Sequence, residues 1–310
     1  MSRIKSEYVL FITALLTAMF LFTFHLFSDL YGDERGHTYN VVATGNFWTN
    51  IQDPSMCHPP LYFMFAKLFY DLTGKPWGIR IPSIIFALGT VVILPFVAKR
   101  ILGKEFFLLT VWVAALSPFL MEFAAEGRAY AMLIFISLVA TWAFFEFLRR
   151  ENVRNMLVLI VASICGALTH YFFWLQMVFA GVYYLIAKKG VSRYALGTLA
   201  IILVVLVPLA SILFVAQEAG FTKYLQASWC GSFFNVPNFA ARLPVALTYG
   251  FSTFDLPNLD PARNFTFRVL FDNWFLSLLA LISFAGINYA WFRLALEKTK
   301  WFWFLFLGVV

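Results

Sequence analysis

The chain has 310 residues, 62% of them hydrophobic and only 13% charged, with 38 Phe and a formal net charge of +7. Soluble globular proteins carry roughly 25% charged residues, and even large domains bury only about 75% of their chain surface on folding. A water-soluble fold is excluded. Nucleic acid is not needed to explain the charge, because the charge sorts to one side of a membrane.

Uncharged apolar runs of roughly 17–25 residues mark membrane helices. The first is Tyr8–Phe27, preceded by Arg3 and Lys5. It is too long for a signal peptide and no small-x-small cleavage site follows, so it reads as a signal anchor. Ile81–Ala98, Phe106–Met121, Ala129–Phe145, Tyr194–Ala216 and Trp274–Phe292 are further predicted spans. Met156–Ala187 has no formal charge over 32 residues, too long for one helix and short for two. Arg149, Arg150 and Arg154 precede it, and Lys188, Lys189 and Arg193 follow. If both clusters are cytoplasmic, this run crosses twice and turns near His170. Trp301–Val310 reads as half a span. The expectation is an all-α integral membrane protein with a single transmembrane domain of about eight spans plus a truncated ninth, the chain being C-terminally incomplete.

With the N-terminus cytoplasmic, the inner segments hold 14 basic residues against five acids, a balance of +9, while the outer segments carry −2. The long segments, about Ser28–Arg80 and about Gln217–Asp272, are both outer, so the chemistry is expected to face away from the cytoplasm. Within the first, Pro60–Leu72 reads as an interfacial helix. Cys57 and Cys230 fall on the two outer loops, where a disulfide is possible, and Cys165 lies within a span as a packing residue. Asn264 opens a formal glycosylation sequon.

Charged groups at span ends are functional candidates. In order they are Asp33 and Glu34 after the first span, His58 in His58-Pro-Pro-Leu-Tyr62, Arg80 in Arg80-Ile-Pro-Ser83, Glu122, Glu126 and Arg128 in the segment that opens Ser117-Pro-Phe119 and ends Glu126-Gly-Arg-Ala-Tyr130, and His170. All fall at one membrane edge, the depth of a lipid headgroup. An Arg fork can hold a lipid phosphate, and a carboxylate beside it can accept a proton from an incoming hydroxyl. Plain structural readings stand beside these: solvated loop acids for Asp33 and Glu34, a neutralising pair for Glu126 and Arg128, a turn cap for His58, a helix turn for His170, and an interfacial anchor for Arg80.

In this order the motifs resemble the polytopic, polyprenyl-phosphate-sugar-dependent glycosyltransferases, whose relatives include protein O-mannosyltransferases and aminoarabinose transferases. The resemblance covers about residues 5–190 and includes Thr169-His-Tyr171. It implies a GT-C-like helix bundle whose large first extracytoplasmic loop holds interfacial helices and the catalytic acid. It also implies that Asp33 is the general base supported by Glu34, and that Arg128 binds the donor phosphate with Glu126 and Tyr130 orienting it. His58 and Arg80 are further phosphate candidates, and His170 a supporting residue. The implied partners are a polyprenyl-phosphate-linked sugar donor, an unidentified acceptor and the bilayer. The implied location is the plasma (inner) membrane, with the site facing the periplasm or exterior. No resident cofactor is implied, though a divalent cation at the phosphate is compatible, and no metal-ligand spacing occurs. Arg35 and Gly127 depart from the family pattern, which often has a small residue and Ala there. The alternatives from other classes are a transporter or lipid flippase, with charged groups at mid-membrane, and an inactive partner subunit.

Overall fold

The computed structural model describes residues 2–30, 32–45, 59–101, 103–188 and 190–208, all within one unit of the chain, Met1–Ala219. His58, Cys57, Cys230, Asn264, the second long outer segment and the last predicted spans lie outside the described residues. Every regular element among the described residues is helical.

Helix α1 runs Ser2–Thr23. Beyond a turn, Gly32 has φ 52°, a left-handed conformation suited to glycine. A π-helical turn, Glu34–Tyr39, follows and runs into α2, Asn40–Thr44. This helical stretch was not anticipated, since Asn, Val and Thr are modest helix formers. Tertiary burial decides it: Val41 and Val42 enter one core cluster with Tyr62, Phe63 and Ala66 of the next helix. Helix α3 spans Leu61–Thr73, as the apolar pattern predicts, and ends on Gly74 in the left-handed region.

A 3-10 turn, Pro76–Arg80, leads into α4, Ile81–Ile101. The predicted span over Phe106–Met121 is not one straight helix. It is α5, Phe107–Ala115, and α6, Pro118–Ala125, bent by 47°. Pro118 has no N–H to continue α5, and Ser117 restarts the chain by accepting the Leu120 N–H at 3.3 Å. Then come α7, Tyr130–Arg149, α8, Val153–Thr169, α9, Phe172–Ala187, and α10, Arg193–Pro208.

The break at His170 is where the charge clusters put it. Gly166 makes the tight α8–α9 turn possible, because the Phe173 ring occupies the space a Cβ would need. The stretch Pro76–Arg100 and α7 are each long and apolar enough to cross a membrane, and the bent α5–α6 pair would be a third. The remaining apolar helices among the described residues are 10–17 residues long over their apolar stretches, shorter than a straight span needs.

Two core clusters hold the unit together. In one, Ala14 and Ala18 of α1 meet Ala87 and Val91 of α4, Ala114 and Ala115 of α5 and Ala124 of α6. Small side chains let backbones approach closely where lipid offers no hydrophobic drive for helix pairing. The other joins α3 to α7, α8 and α9. Large apolar side chains such as Phe20, Leu109, Val113, Val161, Ile186 and Val204 point outward, as acyl chains require.

Candidate active site

Contacts from Ser83 to Arg128, from Glu34 to Gly127 and from Tyr130 to His170 gather the start of α4, the start of α7 and the α8–α9 break at one end of the bundle. The opposite end carries a separate polar network. There Glu146 accepts from Arg100 at 2.9 Å and Arg149 at 3.3 Å, and Lys188 pairs with Glu151 at 2.9 Å. Helices α4 and α7 carry their charged side chains only at their ends, which leaves their mid-depth without the charges a transporter site would use.

The site is built on a buried ion pair. Arg80, 1% exposed, donates from Nε to Glu34 Oε1 at 2.6 Å and from Nη2 to Glu34 Oε2 at 2.7 Å. Its Nη1 donates to the carbonyls of His25, Leu26 and Ser28, and Nη2 also donates to that of Asp29. Those carbonyls follow α1, where the helix dipole favours a cation. All the guanidinium donors are thus satisfied within the protein, so this arrangement leaves Arg80 none for a phosphate.

Glu34, 3% exposed, uses Oε1 a second time to accept the Gly127 N–H at 2.8 Å. Gly127 is required by this closeness. A Cβ there would stand 2.7 Å from Ile79 Cγ1 and 2.9 Å from Glu34 Oε1.

A second chain of bonds runs through hydroxyls. Tyr62, fully buried, bonds through its OH to the Ile79 carbonyl at 2.9 Å and to Ser83 Oγ at 2.7 Å. Ser83 Oγ lies 3.1 Å from the Arg128 carbonyl, to which it donates. Burial holds the Tyr62 phenol far above its ordinary titration range, partly offset by the Ser83 bond, so it stays protonated.

Asp33 and Arg128 meet in the mouth of the site. Arg128 Nη1 lies 3.3 Å from Asp33 Oδ2, with the two side chains 21% and 60% exposed. Arg128 Nη2 donates to the Tyr130 OH at 3.1 Å, and the guanidinium lies 4.7 Å from the Tyr130 ring centre. Glu126 sits in the bend between α6 and α7, where burial raises its carboxyl pKa, Arg128 lowers it, and Glu34 and Asp33 raise it further. His170 is buried and accepts the Phe172 N–H on Nδ1 at 3.2 Å, with the Tyr130 ring 5.4 Å away. Burial first, then Arg128, push its pKa down to about 4, so it is neutral at neutral pH.

A cavity of about 20 Å³ lies beside Arg128, lined also by His37, Thr38, Tyr62, Phe63, Tyr130 and His170. That is room for a water and not for a sugar ring. The structure thus brings together Asp33, Glu34, Arg80, Glu126, Arg128, Tyr130 and His170, drawn from four separated motifs. Sequence reasoning assigned nothing to His37 or Thr38. Their signal was the spacing of His37 four residues after Asp33, which shares a face once the segment is helical. Among the described residues no three His, Cys, Asp or Glu side chains form a group able to hold a metal ion.

Residues 57–213 match the model of the dolichyl-phosphate-mannose-protein mannosyltransferase family. The chain belongs to this family. No curated protein matches it, and no solved structure does. The match takes in Arg80, Glu126, Arg128, Tyr130 and His170, while Asp33 and Glu34 precede it and reach it through Arg128, Arg80 and Gly127. As a member of the mannosyltransferase family with membrane-length apolar helices, the chain is an integral membrane glycosyltransferase.

Proposed function

We propose that the chain transfers a sugar from a polyprenyl-phosphate donor to a hydroxyl acceptor on the extracytoplasmic side, with inversion. The observation that carries this reading is the Asp33–Arg128 pair at 3.3 Å in the exposed mouth of the site, one carboxylate and one guanidinium from distant motifs. In the free protein each neutralises the other. A donor phosphodiester takes the Arg128 fork through paired N–H···O bonds and thereby frees Asp33.

The acceptor oxygen then attacks the anomeric carbon from the face opposite the phosphate. Its proton passes to Asp33, the new C–O bond forms, and the bond to the phosphate oxygen breaks with its electron pair. The leaving polyprenyl phosphate keeps that charge against Arg128, so no strong general acid is needed. Glu34 and Arg80 serve as the frame of the site, Tyr130 orients Arg128, and neutral His170 packs behind Tyr130. His58, outside the described residues, is proposed as a further phosphate contact on the basis of its motif alone.

The deciding experiment is Asp33→Asn in purified, membrane-inserted protein, assayed for release of polyprenyl phosphate from a polyprenyl-phosphate-linked sugar. Loss of turnover with unchanged insertion and donor binding supports the assignment. Full turnover in Asp33→Asn removes it.

A further inference from the structure

We propose that Tyr62 and Ser83 are positioning residues for Arg128, a buried pair of hydroxyls that fixes the backbone from which the guanidinium projects. The proposal rests on Arg128 binding the donor phosphate, and extends that reading to two residues that touch no substrate.

The segment carrying Arg128 is poorly held by itself. Glu126 is extended at φ −97° and ψ 135°, between the end of α6 and the start of α7. Across it the Arg128 N–H donates to the Glu126 carbonyl at 2.9 Å. The backbone is instead tied to other elements at the Gly127 N–H, ahead of Arg128, and at the Arg128 carbonyl. Glu34 receives the former, and Ser83 donates to the latter. Ser83 is in turn bonded to the Tyr62 OH at 2.7 Å, which also reaches the Ile79 carbonyl. Tyr62, Ile79 and Ser83 are buried to 0% exposure, so water does not compete for these bonds.

Two routes therefore converge on one residue: a charged one through Arg80 and Glu34, and a neutral one through Tyr62 and Ser83. The neutral route joins the Leu-Tyr end of one motif, the Ser of the next and the Arg of a third. Removing a hydroxyl leaves the Arg128 carbonyl, or the Ser83 bond that serves it, without its partner. The guanidinium then samples orientations that miss the fork geometry a phosphate requires.

The test uses the full chain in lipid nanodiscs, with undecaprenyl phosphate and undecaprenol as probes that differ only in the phosphate. The ratio of the two affinities isolates phosphate recognition, whereas general loosening of the lipid groove weakens both probes alike. The expected result is a ratio lowered about fivefold in Tyr62→Phe and in Ser83→Ala, with the double variant no worse than about the larger single, as one shared route requires. Unchanged ratios, or equal weakening toward both probes, in variants that melt like the parent would overturn the inference. If Tyr62→Phe fails to insert, Ser83→Ala alone decides. Arg128→Ala separates the two layers: collapse of its ratio while the hydroxyl variants keep theirs sinks only the positioning role. An unchanged ratio in Arg128→Ala removes the donor-phosphate reading and this inference with it.

Discussion

Glu34 receives both edges of the Arg80 guanidinium, Nε at 2.6 Å and Nη2 at 2.7 Å, in a setting where neither side chain is more than 3% exposed. The pair joins the segment after α1 to the start of α4. Glu34 also accepts the Gly127 N–H, so one buried carboxylate ties Arg80 to the segment that carries Arg128.

Arg80→Ala should therefore act on stability before chemistry. It strands the buried Glu34 carboxylate and the carbonyls after α1, a loss of about 3–5 kcal/mol. Thermal melting in detergent should show a large drop for Arg80→Ala. Arg80→Lys should recover little of it, because an ammonium has three donors and no fork. Parental melting with selectively weakened phosphate binding in Arg80→Ala would reverse this assignment.

Gly127→Ala places a methyl group against Ile79 and against the Glu34 oxygen that accepts the Gly127 N–H. The expected cost is about 1–3 kcal/mol from overpacking, together with weaker donor binding as the Arg128 segment shifts. Melting and donor KM measured on the same preparation check both parts.

Tyr130→Phe keeps the ring under Arg128 and removes only the oxygen that accepts from Nη2. Donor KM should rise about fivefold with kcat little changed, the size of one hydrogen bond. Tyr130→Ala should be worse, since the cation–π face is lost as well.

His170 predicts a pH dependence whose sign is fixed. Its folded pKa is pushed down to about 4 from an ordinary 6.5, so between these values the unfolded chain holds a proton that the folded protein has released. Its stabilising contribution is complete above about pH 6.5 and is lost as the pH falls toward 4. His170→Gln should flatten the melting curve's pH dependence in that window. Glu126 works with the opposite sign. Its raised carboxyl pKa contributes stability in acid that is lost as the pH rises through the folded value, which Glu126→Gln would remove.

The sequence by itself determined the solvent, the helical class and the break at His170, because hydropathy and charge act locally and cumulatively along a chain. It also determined which motifs to bring together. It did not assign their parts. Asp33 and Glu34 are adjacent and chemically alike, yet one is exposed beside Arg128 and the other is locked on Arg80, a division that only packing 46 residues apart in sequence creates. Arg128 as the expected phosphate ligand and Arg80 as a second candidate likewise differ in their surroundings, for Arg80 donates to the carbonyls after α1 while Arg128 stands half-open beside Asp33. The helix over Glu34–Thr44 and the bend at Ser117 lay beyond simple hydropathy, since one is set by burial of Val41 and Val42 and the other by a proline's missing N–H. Which polar group is spent on the fold and which is left for a ligand depends on partners distant in the chain, and only the tertiary structure supplies those.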